Sequence, residues 1–154
     1  MSDSIKKLAD LFEKFPTVGQ RTAGRFVFYL MRQPKARIDE LIAAILELKN
    51  NIKFCSFCFN PYEGNSTLCP ICQNYSRNKN LLCVVEKETD LISIENTKKY
   101  NGLYFILGGN VNTMRKNDID ALRIKDLQER IKTPERFGLD KALFSEIIIA
   151  TNPT

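Results

Sequence analysis

The chain has 154 residues, 44% hydrophobic and 27% charged, which suits one ordinary domain or a few small ones and excludes a disordered polymer. It contains no histidine, so histidine nucleophile pairs, general bases and metal ligands are excluded, and a metal here must sit on sulfur or carboxylate. The net charge of +5 lies wholly in the first half, with nine Lys/Arg against six Asp/Glu in residues 1–52, three against one in 53–79 and eleven of each in 80–154, a distribution suited to holding a polyanion.

Residues 4–15 place Ile5, Leu8, Leu11, Phe12 and Phe15 at three- and four-residue spacing, predicting a short helix capped by Ser4 or Asp3. Pro16-Thr17-Val18-Gly19 is a turn signal. Ala23, Phe26, Val27 and Leu30 predict a second helix that stops before Pro34. Ile38, Leu41, Ile42, Ile45 and Leu48 predict a third, from Ala36 to about Asn50, completing a helical unit over residues 1–52. Residues 53–79 lose all periodicity and gather four cysteines with Pro61, Gly64 and Pro70, the composition of a metal-stapled loop.

From Leu81 the pattern changes again. Leu81–Val85, Leu103–Leu107 and Glu146–Ala150 are apolar runs of strand length, separated by helix-like stretches over Asp90–Tyr100 and Asp118–Ile131. Alternation of strand and helix predicts a parallel sheet covered on both faces over residues 80–154. The stretch Lys132–Phe144 matches no element. The overall expectation is an α+β chain of three modules: helical, four-cysteine and partial α/β.

Met1–Lys7 carry no apolar signal core, and the apolar stretch Leu41–Leu48 contains Glu47 and is too short to span a bilayer. Four of the five cysteines fall into two tight pairs. These features predict a cytoplasmic protein, away from membranes, whose cysteines bind metal rather than form disulfides.

The spacing Cys55-x2-Cys58-x10-Cys69-x2-Cys72 is the strongest chemical signal. Each Cys-x-x-Cys turn sets two thiolates on one side of a loop, and two such turns close a tetrahedron around one structural ion. Zinc is preferred, although the spacing alone also admits iron. Cys83 reads as a small core residue. In Phe15–Arg25, a helix end, a turn leaving through Gly19 and a new helix resemble the helix–hairpin–helix DNA-binding motif. There, backbone N–H groups meet a phosphate. Arg21 and Arg25, four residues apart, project from one face to complete that site. Thr17 stands where the motif has glycine. Val84-Val85-Glu86 places an acid at the C-terminal end of a parallel strand and resembles the start of a Toprim domain, in whose catalytic members a second acidic motif completes a magnesium site. Glu86 lacks such a companion. It reads as a loop anchor or helix N-terminal charge before a metal ligand, and Asp118 and Asp120 read as helix caps.

Taken in order, these modules resemble the RecR family of bacterial recombination mediators. The matching stretches are Phe15–Gly19 with Arg21, Ala23 and Arg25, the four cysteines, Val84–Glu86, Gly102–Gly109 and Ala150–Thr154. The resemblance implies a non-enzymatic DNA clamp acting on duplex or gapped DNA. It also implies a ring-forming assembly that works with RecO and RecF and helps load RecA at single-strand gaps. It assigns DNA contact to Gly19, Arg21 and Arg25, and a zinc ion to Cys55, Cys58, Cys69 and Cys72. The family continues past Asn-Pro-Thr with an acidic Glu-Gly-Glu stretch, a final sheet and a tail, and carries Ser-Pro and further glycines where this chain has Asn110–Arg115. The shortened C-terminus predicts loss of one ring contact and a dimer formed through the helical half. Two alternatives accompany this reading: a Toprim nuclease or primase fragment using Glu86, and a zinc-bearing adaptor without DNA affinity.

Overall fold

The computed structural model describes residues 2–110 and 122–151. By internal contacts the chain divides into two compact units, residues 1–50 and 51–154.

The first unit holds α1 (Asp3–Phe12), α2 (Gln20–Met31) and α3 (Lys35–Asn51). α1 and α2 pack through Ala9, Ala23 and Val27, with Ile5, Leu8, Phe12 and Val18 around them. The small alanines permit close approach, and the larger side chains seal the seam. Neither Ser4 nor Asp3 caps α1 as expected. Both lie inside the helix, whose N-cap is Ser2, and no side chain caps it. α3 forms where the periodicity placed it, yet none of its residues is buried. Leu41, Ile42, Ile45, Leu46 and Leu48 remain exposed, an apolar helix face uncovered among the described residues.

The second unit opens with a small antiparallel ribbon, β1 (Ile52–Phe54) with β2 (Pro61–Glu63), then a single-turn helix α4 (Pro70–Gln73). The sequence showed only a loop here because three-residue strands and a one-turn helix are too short to display a period. β3 (Asn78–Val85), α5 (Glu88–Asn96), β4 (Gly102–Ile106), α6 (Ile124–Lys132), a 3-10 turn (Pro134–Phe137) and β5 (Glu146–Ala150) complete the unit. The sheet is parallel in the order β4-β3-β5, with Val84 opposite both Phe105 and Ile149.

Side chains alternate across the pleat. Leu82, Val84, Leu103 and Phe105 face one core, which also contains the four cysteines and is closed by Leu122, Leu127, Ile131 and Leu139. Cys83, Val85, Tyr104 and Ile106 face the other, closed by Leu91 of α5. β3 and β4 are thus covered on both faces, as their continuous apolar runs predict. β5 departs from that expectation: it is the edge strand of the sheet among the described residues, and four of its five residues are exposed. α5 ends earlier than the expected Tyr100, since Lys98 turns left-handed at φ 55° and Tyr100 folds back onto Tyr104. The unplaced stretch 132–144 becomes a 3-10 turn whose exit, Gly138, leads to the fully buried Leu139. Asp118 and Asp120, the start of the helix expected at 118, the loop Val111–Arg115 and Asn152–Thr154 lie outside the described residues. No helix among the described residues is long and apolar enough to cross a membrane.

Candidate metal centre and nucleic-acid interface

Cys55, Cys58, Cys69 and Cys72 are brought together as their spacing predicts. All four are buried, and their sulfur atoms lie within 4.8 Å of one another. Cys58 Sγ and Cys69 Sγ are 3.6 Å apart, far beyond a disulfide bond and close to the ~3.8 Å edge of a zinc–thiolate tetrahedron with 2.3 Å bonds. The loops are built for this. Phe59 adopts φ 63°, which lets the Phe59 N–H donate to the Cys55 carbonyl (3.1 Å) and the Asn60 N–H donate to Cys58 Sγ (3.4 Å). Cys69 is the N-cap of α4, with Pro70 at the first helical position, where its missing N–H costs nothing. The Cys58 carbonyl accepts from the Ile106 N–H (3.1 Å), tying the loop to β4.

Four thiols so close share protons unevenly. Hydrogen bonds, first from Cys58, hold the Cys55 thiol well below its ordinary range. The bond to Cys55, reinforced by burial, pushes Cys58 and Cys72 well above it. This donor set fits a four-coordinate thiophilic ion with no open position, which makes the centre structural.

Two arginines that sequence reasoning passed over hold the centre against the sheet. Arg130 of α6 is 6% exposed and donates from Nε to the Ser56 carbonyl (3.1 Å) and from Nη1 to Asp126 (2.9 Å). Its guanidinium lies 4.3 Å from the Phe59 ring centre and 4.1 Å from that of Phe137. Arg123 covers Phe59 as well, also at 4.3 Å, and donates to the Ile106 carbonyl. The only available signal was the aromatic residue directly after the first cysteine pair. Nothing in the sequence pairs it with cations some 65 to 70 positions away.

In the first unit, α1 ends and the chain turns through Pro16–Gly19. Thr17 takes φ 65°, the left-handed conformation that glycine supplies in such hairpins, so the turn forms despite the departure in residue type. Gly19 is the N-cap of α2 and has no side-chain cap. The N–H groups of Gly19, Gln20 and Arg21 donate to no acceptor among the described residues; the first intrahelical bonds are Thr22 and Ala23 to the Gly19 carbonyl. Arg21 and Arg25 are both exposed one turn apart on α2. Open amides, the positive end of a twelve-residue helix and two exposed guanidinium groups are the chemistry that suits an anion.

Glu86 is fully buried at the end of β3, and its carbonyl accepts from the N–H groups of Gly108 and Gly109 (3.0 and 3.1 Å). Gly108 holds φ 88° beneath the Arg123 side chain. Among the described residues, the one group of three or more Cys, Asp or Glu side chains gathered closely enough to hold an ion is the four-cysteine centre.

Comparison with known proteins agrees with this layout. Residues 5–49 match the family model described as RecR, helix-hairpin-helix, and residues 80–154 match the Toprim domain. Recombination protein RecR of Chloroherpeton thalassium is 33% identical over 153 residues, 99% of this chain and 73% of that protein. Those of Bifidobacterium adolescentis and Dehalococcoides mccartyi are each 37% identical, covering 97% and 98% of this chain and 70% and 69% of their own length. With the RecR hairpin model and the Toprim domain matched in turn and likeness along almost its whole length, this chain belongs to the RecR family of recombination proteins.

Proposed function

We propose that this chain is a non-enzymatic DNA-binding mediator of recombinational repair. In this reading the hairpin edge grips phosphates, zinc in the four-cysteine centre holds the second unit in shape, and helical faces pair two copies. The carrying observation is the uncapped N-terminus of α2, with Arg21 and Arg25 exposed beside it. Such an edge reads the backbone and carries no base information. The family relationship supports work alongside RecO and RecF in loading RecA at gaps. It also supports a three-part organisation with boundaries near residues 52 and 79.

Pairing through the helical half rests on α3, whose apolar face is bare, and on Phe26, Phe28, Tyr29 and Met31 of α2, which are exposed as well. Large apolar side chains left exposed on two helices of one small unit favour an interaction site there. Sedimentation is expected to give a dimer, and Ile42→Lys with Ile45→Lys a monomer. A wild-type monomer or tetramer overturns the pairing.

The DNA reading is tested by fluorescence anisotropy with a gapped duplex across a salt series. Wild-type binding should fall steeply with salt, and Arg21→Glu with Arg25→Glu should weaken it on every sequence and lower the salt slope by about 2. Unchanged affinity removes the hairpin assignment. Magnesium-dependent DNA cleavage that vanishes in Glu86→Ala would replace the mediator reading with a nuclease.

A further inference from the structure

The second unit contains a basic cavity that borders the cysteine centre, since Cys72 is in its wall, and that the hairpin leaves unused. It has a volume of about 870 Å³ and opens between the segment after α4, the start of β3 and the turn after Gly138. Three cationic side chains line it, Arg77, Lys79 and Lys141, against one acid, Asp140. The ring of Tyr75 also lines it and is 92% exposed.

Packing does not account for that ring. An aromatic side chain left in water contributes nothing to a core, yet the turn that presents it is firmly built. Asn74 Oδ1 accepts from the Ser76 N–H (2.9 Å) and hydroxyl (2.7 Å), and Asn101 Nδ2 donates to the Ser76 carbonyl. Arg77 is committed to the fold, with one guanidinium nitrogen on Glu95 and another on the Gly102 carbonyl. The two lysines are not committed in this way. Lys79 Nζ lies 5.1 Å from the centre of the Tyr75 ring, and neither Lys79 nor Lys141 is paired with an acid among the described residues.

We propose that this cavity is a contact for single-stranded nucleic acid, in which an unpaired base stacks on Tyr75 while Lys79 and Lys141 hold the flanking phosphates. A presented aromatic face beside cations is the arrangement that binds single strands without sequence preference. A duplex keeps its bases stacked inside and has no use for the ring. An acidic peptide would engage the lysines but leaves the exposed ring unexplained. The contact lies in the other compact unit from the hairpin.

The test uses the whole chain with labelled oligo-dT and, separately, a labelled hairpin duplex, each titrated across salt. Tyr75 is exposed, so Tyr75→Ala should fold normally. It should weaken oligo-dT binding by roughly 5- to 150-fold, the equivalent of the ~1–3 kcal/mol of base–aromatic stacking, and leave duplex affinity unchanged. Tyr75→Phe should retain oligo-dT affinity. Lys79→Glu with Lys141→Glu should lower the single-strand salt slope by about 1.4. The Tyr75 effect should persist in the Arg21→Glu, Arg25→Glu background, which separates this contact from the hairpin. Failure of the wild type to bind oligo-dT, unchanged affinity in Tyr75→Ala, or equal loss on strand and duplex overturns the proposal. Binding of poly-glutamate that depends on the two lysines, with oligo-dT binding untouched, reassigns the cavity to an acidic protein and overturns it too.

Discussion

Arg130 offers a sharp test of how the cysteine loop is held to the sheet. Truncation in Arg130→Ala removes the hydrogen bond to the Ser56 carbonyl, which then has no donor, at a cost of about 1–3 kcal/mol. It also removes two desolvated cation–ring contacts, at 4.3 Å on Phe59 and 4.1 Å on Phe137, each worth about 0.5–2 kcal/mol. Asp126 is 44% exposed and is rehydrated by water, so its ion pair adds less than about 1 kcal/mol. The combined loss is about 4 kcal/mol, a large share of the ~5–15 kcal/mol that holds a domain together. Arg130→Lys keeps the charge but loses the planar fork and its stacking, and should cost about 2 kcal/mol. Urea unfolding followed by far-UV circular dichroism measures both, since the chain has no tryptophan to report by fluorescence. A loss below ~1 kcal/mol in Arg130→Ala, or none in Arg130→Lys, would refute the view that planar stacking on Phe59 fastens the loop.

Removing the ion should be more drastic. A structural zinc ion on four thiolates supplies about 10–16 kcal/mol of apparent binding energy, comparable to or above the whole stability of a domain, and the four cysteines that would hold one are embedded in the core under β3 and β4. A strong chelator, or Cys58→Ser, should therefore abolish the cooperative unfolding transition of the second unit together with bound metal. An unchanged transition in metal-free protein would count against a structural ion. Alkaline stability provides a further check. Burial, aided by the adjacent Glu95 at Tyr104, raises Tyr100 and Tyr104 above their ordinary value of 10, so the folded state keeps protons that the unfolded state releases. Their stabilisation is complete below pH 10 and falls above it, by about 1.4 kcal/mol per pH unit for each tyrosine. Tyr104→Phe should flatten that fall; an identical alkaline slope in the variant would show that the ring titrates normally.

Local patterns carried a large part of this protein. Cysteine spacing foretold that the four sulfurs converge, because two Cys-x-x-Cys turns have few ways to arrange them. The apolar runs at Leu81–Val85 and Leu103–Leu107 foretold strands buried on both faces, because only such strands dispense with polar alternation. The turn into Gly19 foretold an open helix N-terminus, although Thr17 had to adopt φ 65° to make it. What the pattern could not hold was anything settled between distant positions. The cover of Phe59 by Arg123 and Arg130, the burial of Leu139 inside the stretch that matched no element, and the sharing of one core by the cysteines with Leu82, Val84, Leu103 and Phe105 all depend on which surfaces meet. The face of α3 shows the same limit from the other side. Its periodicity says that Leu41, Ile42 and Ile45 belong against something, and the folded chain alone leaves them in water. Periodicity records that a side chain is to be buried, since each residue's hydrophobicity is its own property; what buries it is a property of the whole assembly of surfaces, and only the packed structure expresses that.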